Sequence, residues 1–313
     1  MNEPERTRLP TWFRVPLPAG PRYGALKTSL RGLGLHTVCE EARCPNVGEC
    51  WAEGTATLML LGDTCTRGCR FCAVKKGKPQ GIVDRDEPKK VAEAVARMHL
   101  AYVVLTMVDR DDLPDGGAAH VAETVRRIRE ACPGIVVETL VGDFAGAQRD
   151  VATVVQEGRP DVFAHNVEVV PELQSTMRDR RCSWDRSIEV LSWARGSGAL
   201  VIKTSLMVGC GETRSQVEAA IERIAAVGVD VLTIGQYLRP SEKHAPVDRF
   251  VHPDEFAAYA ELGRAAGLRY VASGPLVRSS YRAAEAFLRA ELGAGKPAFE
   301  DPYGKLRRLP VVH

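Results

Sequence analysis

The sequence predicts an α/β fold, a partial (β/α)6 TIM-type barrel of parallel strands, and three observations carry that expectation. Between about residues 56 and 272, strand-length apolar runs alternate with helix-like stretches. Their order is strand, helix, strand, helix, which favours parallel pairing through right-handed crossovers. The chain has 313 residues, 45% hydrophobic and 26% charged, ordinary values for a globular protein able to bury a core of that size.

The elements follow in order. The first strand-like run spans 56–61 and precedes a helix-like stretch at 88–100. A second strand at 102–106 leads to a helix-like stretch at 118–132. A strand at 135–140 precedes a helix at 147–157, and a strand at 162–165 precedes a helix at 185–196. The last pair of strands, 200–207 and 231–234, brackets a helix at 215–227. Residues 56–272 therefore read as the barrel. Residues 1–55, rich in Pro and Gly early on, and residues 273–313 read as N- and C-terminal extensions that cap it. The second extension holds a helix-like stretch at 281–292 and a basic run, Lys305 to Arg308, expected to be a solvated end.

Several classes lose support early. A net charge of +2 implies no polyelectrolyte partner, so no nucleic acid is expected, and no apolar run approaches the length of a membrane span. The N-terminus, Met1 to Arg6, is charged and lacks an apolar signal segment, which points to the cytoplasm. Neither a strand–GxGxxG–helix unit nor a Walker-type lysine loop is present.

Cysteine carries the chemistry. Cys65, Cys69 and Cys72 stand in Cys-x3-Cys-x2-Cys spacing just after the first strand, the end of a parallel strand at which barrels place their active sites. A second triplet, Cys39, Cys44 and Cys50, lies upstream. A site closed by protein alone wants four ligands, so zinc or disulfide readings leave an odd thiol in each triplet. Three thiolates suit three irons of a [4Fe–4S] cube whose fourth iron stays open, and two incomplete triplets point to two clusters. The other three cysteines, Cys132, Cys182 and Cys210, are isolated in sequence and are expected to pack as small hydrophobes.

The first triplet, with Phe71 before its last cysteine, resembles the signature of radical S-adenosylmethionine (SAM) enzymes. The paired triplets, with Val104 to Gly117, His165 to Glu168, Gly235 to Leu238 and Ser273 to Tyr281, are similar to the lipoyl synthase family from about Leu9 to about Ala290. That resemblance implies radical insertion of two sulfur atoms at C6 and C8 of an octanoyl chain on a carrier lysine. It implies two [4Fe–4S] clusters and SAM, with Cys65, Cys69 and Cys72 holding the catalytic cluster. Cys39, Cys44 and Cys50 would hold the sacrificial one, completed by Ser280 of Arg278-Ser279-Ser280-Tyr281. The competing reading of Ser279 or Ser280 is an N-cap for the following helix.

Strand-end residues are candidates for SAM or substrate contact: Thr106, Asp109, Glu138, Asn166 and Lys203. Glu138 and Lys203 also read as barrel salt-bridge residues, and Asn166 as a turn or capping residue. Met107, Ser205 and Cys210 depart from the family pattern near the expected SAM site. The run Arg178-Asp179-Arg180-Arg181 would receive an acidic carrier loop or stand as a solvated turn. Implied partners are octanoylated lipoyl domains of 2-oxoacid dehydrogenases, the glycine-cleavage H protein, a ferredoxin or flavodoxin, and iron–sulfur assembly proteins. Two other classes stay open: a biotin-type or methylthiotransferase radical SAM enzyme, and a non-catalytic iron–sulfur electron carrier.

Overall fold

In the computed structural model the described residues are 9–13, 32, 35–37, 46–47, 55–98, 100 and 102–280. The triplet Cys39, Cys44 and Cys50 lies outside them, as do Tyr281 and the helix-like stretch at 281–292.

Ten strands and seven helices, in chain order, build the described part. The strands are β1 His36–Thr37, β2 Thr55–Leu60, β3 Thr64–Cys65, β4 Lys75–Lys76, β5 Tyr102–Met107, β6 Val136–Leu140, β7 Val162–Ala164, β8 Val201–Val208, β9 Val231–Gln236 and β10 Tyr270–Gly274. The helices are α1 Glu87–Met98, α2 Ala118–Ala131, α3 Gln148–Thr153, α4 Gln174–Met177, α5 Trp184–Gly196, α6 Arg214–Ala226 and α7 Pro253–Ala265. An eight-stranded sheet runs β1-β2-β5-β6-β7-β8-β9-β10, with every pairing parallel except β1 on β2. Among the described residues β10 is not bonded back to β2, so the barrel is open.

Alternation along the strands sorts two cores. Val103 and Leu105 of β5 face the helices, with Val91 and Val95 of α1 and Val121, Val125 and Ile128 of α2. Tyr102 and Val104 of the same strand point the other way, into the barrel, against Val136, Val162, Val201 and Val231. Strands covered on both faces need continuous apolar character, which β5 to β9 have. The helices cover one face only and carry apolar residues on one stripe.

The six expected strands and the helices between them form within a few residues of their predicted bounds. The structure adds a seventh parallel strand, β10, and the helix α7 before it. His252 starts α7 by accepting from Asp254 N–H, with Pro253 as the first helical residue. The expected helix at 147–157 is shortened, passing into a π turn at Val154–Gly158.

Described parts of the N-terminal extension contact the barrel. Phe13 packs on Phe250 with ring centroids 5.5 Å apart, and Trp12 meets the His252 ring edge-on at 5.3 Å. The buried Asn46 donates to the Leu276 carbonyl across 230 residues of sequence, at 2.8 Å.

Candidate active site

The cysteine loop starts where β2 ends. Leu61 and Gly62 both adopt positive φ, 68° and 87°, which turns the chain sharply off the strand. Glu87, the first residue of α1, fixes that turn by accepting from Leu61 N–H (2.7 Å) and Gly62 N–H (3.3 Å), while His120 Nε2 lies 2.6 Å from it. The loop then closes on itself: β3 pairs with β4, and Gly77 N–H donates to the Cys65 carbonyl at 2.9 Å.

Buried Arg67 locks the loop onto the neighbouring strand ends. Its guanidinium lies 2.8 Å from Asp111, 2.5 Å from Asp143 and 3.8 Å from Asp109. Thr66 N–H adds a bond to the Asp109 carbonyl at 2.9 Å. A cation shared among three carboxylates, and itself buried, gives this loop far more order than an exposed ion pair would.

The three thiols of the triplet are half-buried and line one cavity of about 530 Å³ at the C-terminal ends of the strands. Arg67 N–H points to Cys65 Sγ (3.4 Å) and Asp179 N–H to Cys69 Sγ (3.3 Å). Burial, aided by the Asp109 charge, pushes the Cys65 thiol up to about 11, and burial raises Cys72 as well. Cys69 is raised first by a hydrogen bond with Cys182 and then by burial. An iron cluster held by these three thiols would displace their protons.

The donor set fits such a cluster. Three soft sulfurs share one cavity, with N–H groups aimed at two of them. Among the described residues no three His, Cys, Asp or Glu side chains gather closely enough for a single metal ion. Thiolates that each bind a separate corner of a cube need no such convergence. The wall also fits a polar ligand, since Arg178 Nε and Asp143 Oδ2 are buried there without a hydrogen-bond partner. A molecule carrying carboxylate, amine and hydroxyl groups would satisfy both kinds of atom.

The candidates from sequence divide. Thr106, Asp109 and Asn166 line the cavity with the triplet, and Ser279 and Ser280 line it too. Glu138 and Lys203 do not. Lys203 Nζ lies 2.9 and 2.8 Å from the two Glu138 oxygens, Tyr102 Oη also donates to Glu138, and both charged side chains are buried inside the barrel. Their proposed SAM or substrate contact therefore gives way to the barrel ion pair, because each sits mid-strand beneath the cavity. The C-terminal segment reaches the mouth by crossing β9 at Gly235, where a Cβ would stand only 2.1 Å from the Val277 carbonyl.

Sequence reasoning missed three wall residues. Glu168 stands in the cavity with φ of 70°, accepting from Asn166 at 3.2 Å, and burial raises its carboxyl. The spacing of Asn166 and Glu168 was the available signal. Arg178 lines the wall rather than standing in a solvated turn. Cys182, expected to pack as a small hydrophobe, lines the cavity beside Cys69, whereas Cys132 and Cys210 do pack against apolar clusters.

An open parallel barrel with a triplet of cysteines after its first barrel strand defines the class. Residues 59–224 match the family model of the radical SAM superfamily, and the chain is a radical SAM enzyme. Residues 1–44 match the model described as the N-terminal domain of lipoyl synthase. The chain is 55% identical over 304 residues to lipoyl synthase of Sorangium cellulosum (strain So ce56), covering 92% of this chain and 82% of that protein. It is 52% identical over 289 residues to lipoyl synthase of Thermus thermophilus, covering 92% and 89%. The chain belongs to the lipoyl synthase family. Among solved structures, methylornithine synthase shares the fold with a TM-score of 0.50 at 14% identity, over 88% of this chain and 94% of that one. Membership of the superfamily brings one [4Fe–4S] cluster and SAM. Among the described residues no helix is long and apolar enough to cross a membrane.

Proposed function

We propose that the protein inserts sulfur at C6 and C8 of an octanoyl chain carried on a lysine of a partner protein, with a second, sacrificial [4Fe–4S] cluster as the sulfur source. The single observation that carries this reading is one cavity lined by Cys65, Cys69, Cys72, Asn166 and Ser280 together.

In this reading Cys65, Cys69 and Cys72 hold three irons of the catalytic cluster, and Thr106, Asp109 and Asn166 orient SAM at the strand ends. A cluster and SAM held there would supply the radical chemistry needed to take hydrogen from an unactivated carbon. The chain's own part is position and dryness. Arg67 immobilises the cysteine loop, while Met59, Met107, Leu140 and Val141 give the cavity an apolar side that excludes water from a radical and accepts an alkyl arm. Cys39, Cys44 and Cys50 of the extension 1–55, with the Ser280 oxygen, hold the second cluster. An alkoxide on iron is a harder donor than thiolate and releases more readily, which suits a cluster that gives up sulfur. The bond from Asn46 to Leu276 supports the arrangement, since it ties a residue two positions from Cys44 to the segment that carries Ser280.

The partners of this reading are octanoylated lipoyl domains of 2-oxoacid dehydrogenases and the glycine-cleavage H protein. An electron donor such as ferredoxin or flavodoxin, and iron–sulfur assembly proteins, complete the set, in the cytoplasm. The test offers an octanoyl-lysine peptide, SAM and dithionite to the reconstituted protein. Mass spectrometry should show a gain of two sulfurs, and an unchanged or methylthiolated peptide would refute the reading. Ser280→Ala should lose sulfur insertion while keeping SAM cleavage. Full insertion by that variant removes Ser280 from the site.

A further inference from the structure

The cysteine loop and the turn after α4 are zipped together. Arg70 N–H donates to the Met177 carbonyl (2.8 Å), Gly68 N–H to Asp179 Oδ2 (2.7 Å), and Asp179 N–H to Cys69 Sγ (3.3 Å). The same turn runs on to Cys182, whose N–H bonds the Asp179 carbonyl (2.9 Å) and whose sulfur accepts from Arg67 Nη1 (3.3 Å). Two distant stretches of chain thus bring free thiols to one zipped turn, with Asp179 N–H on the Cys69 sulfur and Arg67 Nη1 on the Cys182 sulfur. Both are half-buried on the wall of the same open cavity, within reach of a small solute. A disulfide brings its sulfurs to about 2.05 Å, and the backbone bonds between these two segments already hold both cysteines on one stretch of the cavity wall.

We propose that Cys69 and Cys182 form a reversible disulfide in the chain that lacks its cluster, withholding the middle thiol of the Cys65 triplet from iron. The oxidant is a low-molecular-weight disulfide of the glutathione kind. One cysteine sulfur attacks it, making a mixed disulfide and releasing one small thiol; the second cysteine sulfur then displaces the other. The small disulfide's S–S bond breaks, the Cys69–Cys182 bond forms, and two electrons and two protons leave in the two small thiols. A dithiol reductant reverses the exchange and returns both cysteines. The effect on iron loading rests on the triplet being the cluster's ligand set; the disulfide itself does not.

The test uses the full-length, iron-free chain, incubated with oxidised glutathione without oxygen, alkylated with iodoacetamide and digested with trypsin. The expected main cross-link joins the fragment Gly68–Arg70 to the fragment Cys182–Arg186, and dithiothreitol releases both. Glutathione adducts alone, or linkage of either cysteine mainly to another, overturn the proposal. In a second measurement, oxidised wild-type chain should take up iron and sulfide at least several-fold more slowly than reduced chain. Cys182→Ala should show little such difference, and an equal slowing in that variant overturns the blocking role. Neither measurement uses SAM or octanoyl substrate, so failure here is distinct from failure of sulfur insertion.

Discussion

Glu138 and Lys203 show what residue type alone leaves open. Their strands were legible from sequence, and period-two alternation along those strands sends both side chains into the barrel. It did not give depth along the barrel axis, and depth decides whether an inward charge meets a ligand or another charge. The buried pair makes a clear prediction. Lys203→Met leaves the Glu138 carboxylate with only Tyr102 as partner and should cost about 3–5 kcal/mol of stability, read by urea unfolding of the iron-free chain. A companion variant, Glu138→Leu with Lys203→Met, should recover part of that loss, and a double variant no better than the single would count against the ion pair as the cause. His165 offers a second test. Its Nδ1 donates to the Val141 carbonyl (2.8 Å), Ser187 Oγ donates to its Nε2 (3.0 Å), and burial, then the Arg178 charge, pushes it down to about 4. The unfolded chain binds this proton near pH 6.5 and the folded chain does not until about pH 4. Stability from this group is therefore full above pH 6.5 and falls as the pH drops through the window to 4, by about 3 kcal/mol in all. His165→Gln should flatten that slope in urea midpoints measured across the window; an unchanged slope would show that His165 does not titrate as placed. Cys182 was illegible for a related reason, because only the zipped turn after α4 brings it to Cys69.

At the scale of elements, the strands were legible because helices on one side and barrel packing on the other force near-continuous apolar runs. The strand missed, β10, mixes Ala, Ser and Gly with Tyr270 and Val271, so it lacks that signature. The helix before it did carry a start signal, Pro253 with Asp254 and Glu255 in the first turn, which marks α7 as the overlooked clue. Cap chemistry also predicts energetics. Thr213 and Gln216 form a reciprocal capping box at the start of α6. Thr213→Ala should cost about 1 kcal/mol in unfolding experiments without affecting iron content, and Thr213→Ser should restore most of it. Gly235 tests an element in contact with function. Because the Val277 carbonyl occupies the space a Cβ would need, Gly235→Ala must displace the crossing segment that brings Ser279 and Ser280 to the cavity. The variant should keep SAM cleavage and lose most sulfur insertion. Equal loss of both activities would mean that the strand end itself, rather than the crossing segment, had been disturbed.

For the whole molecule, the question is how an open barrel sets chain ends against its mouth. Sequence motifs named members of the candidate site, but no local pattern reports that a residue near position 46 touches one near 276. Their contact depends on the barrel closing enough of its circle to place β10, and the segment after it, beside the start of the chain. Asn46 is buried and donates to the Leu276 carbonyl at 2.8 Å, and its neighbour Val47 joins the main apolar core. Removing that amide takes away the partner of a half-buried carbonyl, a loss of about 1 kcal/mol concentrated on the tether. If the tether holds the upstream triplet near Ser280, Asn46→Ala should drop reconstituted iron from about eight per chain toward about four. The Cys65 triplet is fixed independently by Arg67 and by the β3–β4 pairing, so SAM-dependent 5′-deoxyadenosine release should persist. Asn46→Asp keeps the shape but loses the donor and should behave like the alanine variant, whereas a merely steric role would spare it. Eight irons and full sulfur insertion in both variants would show that the two extensions reach the cavity independently of each other.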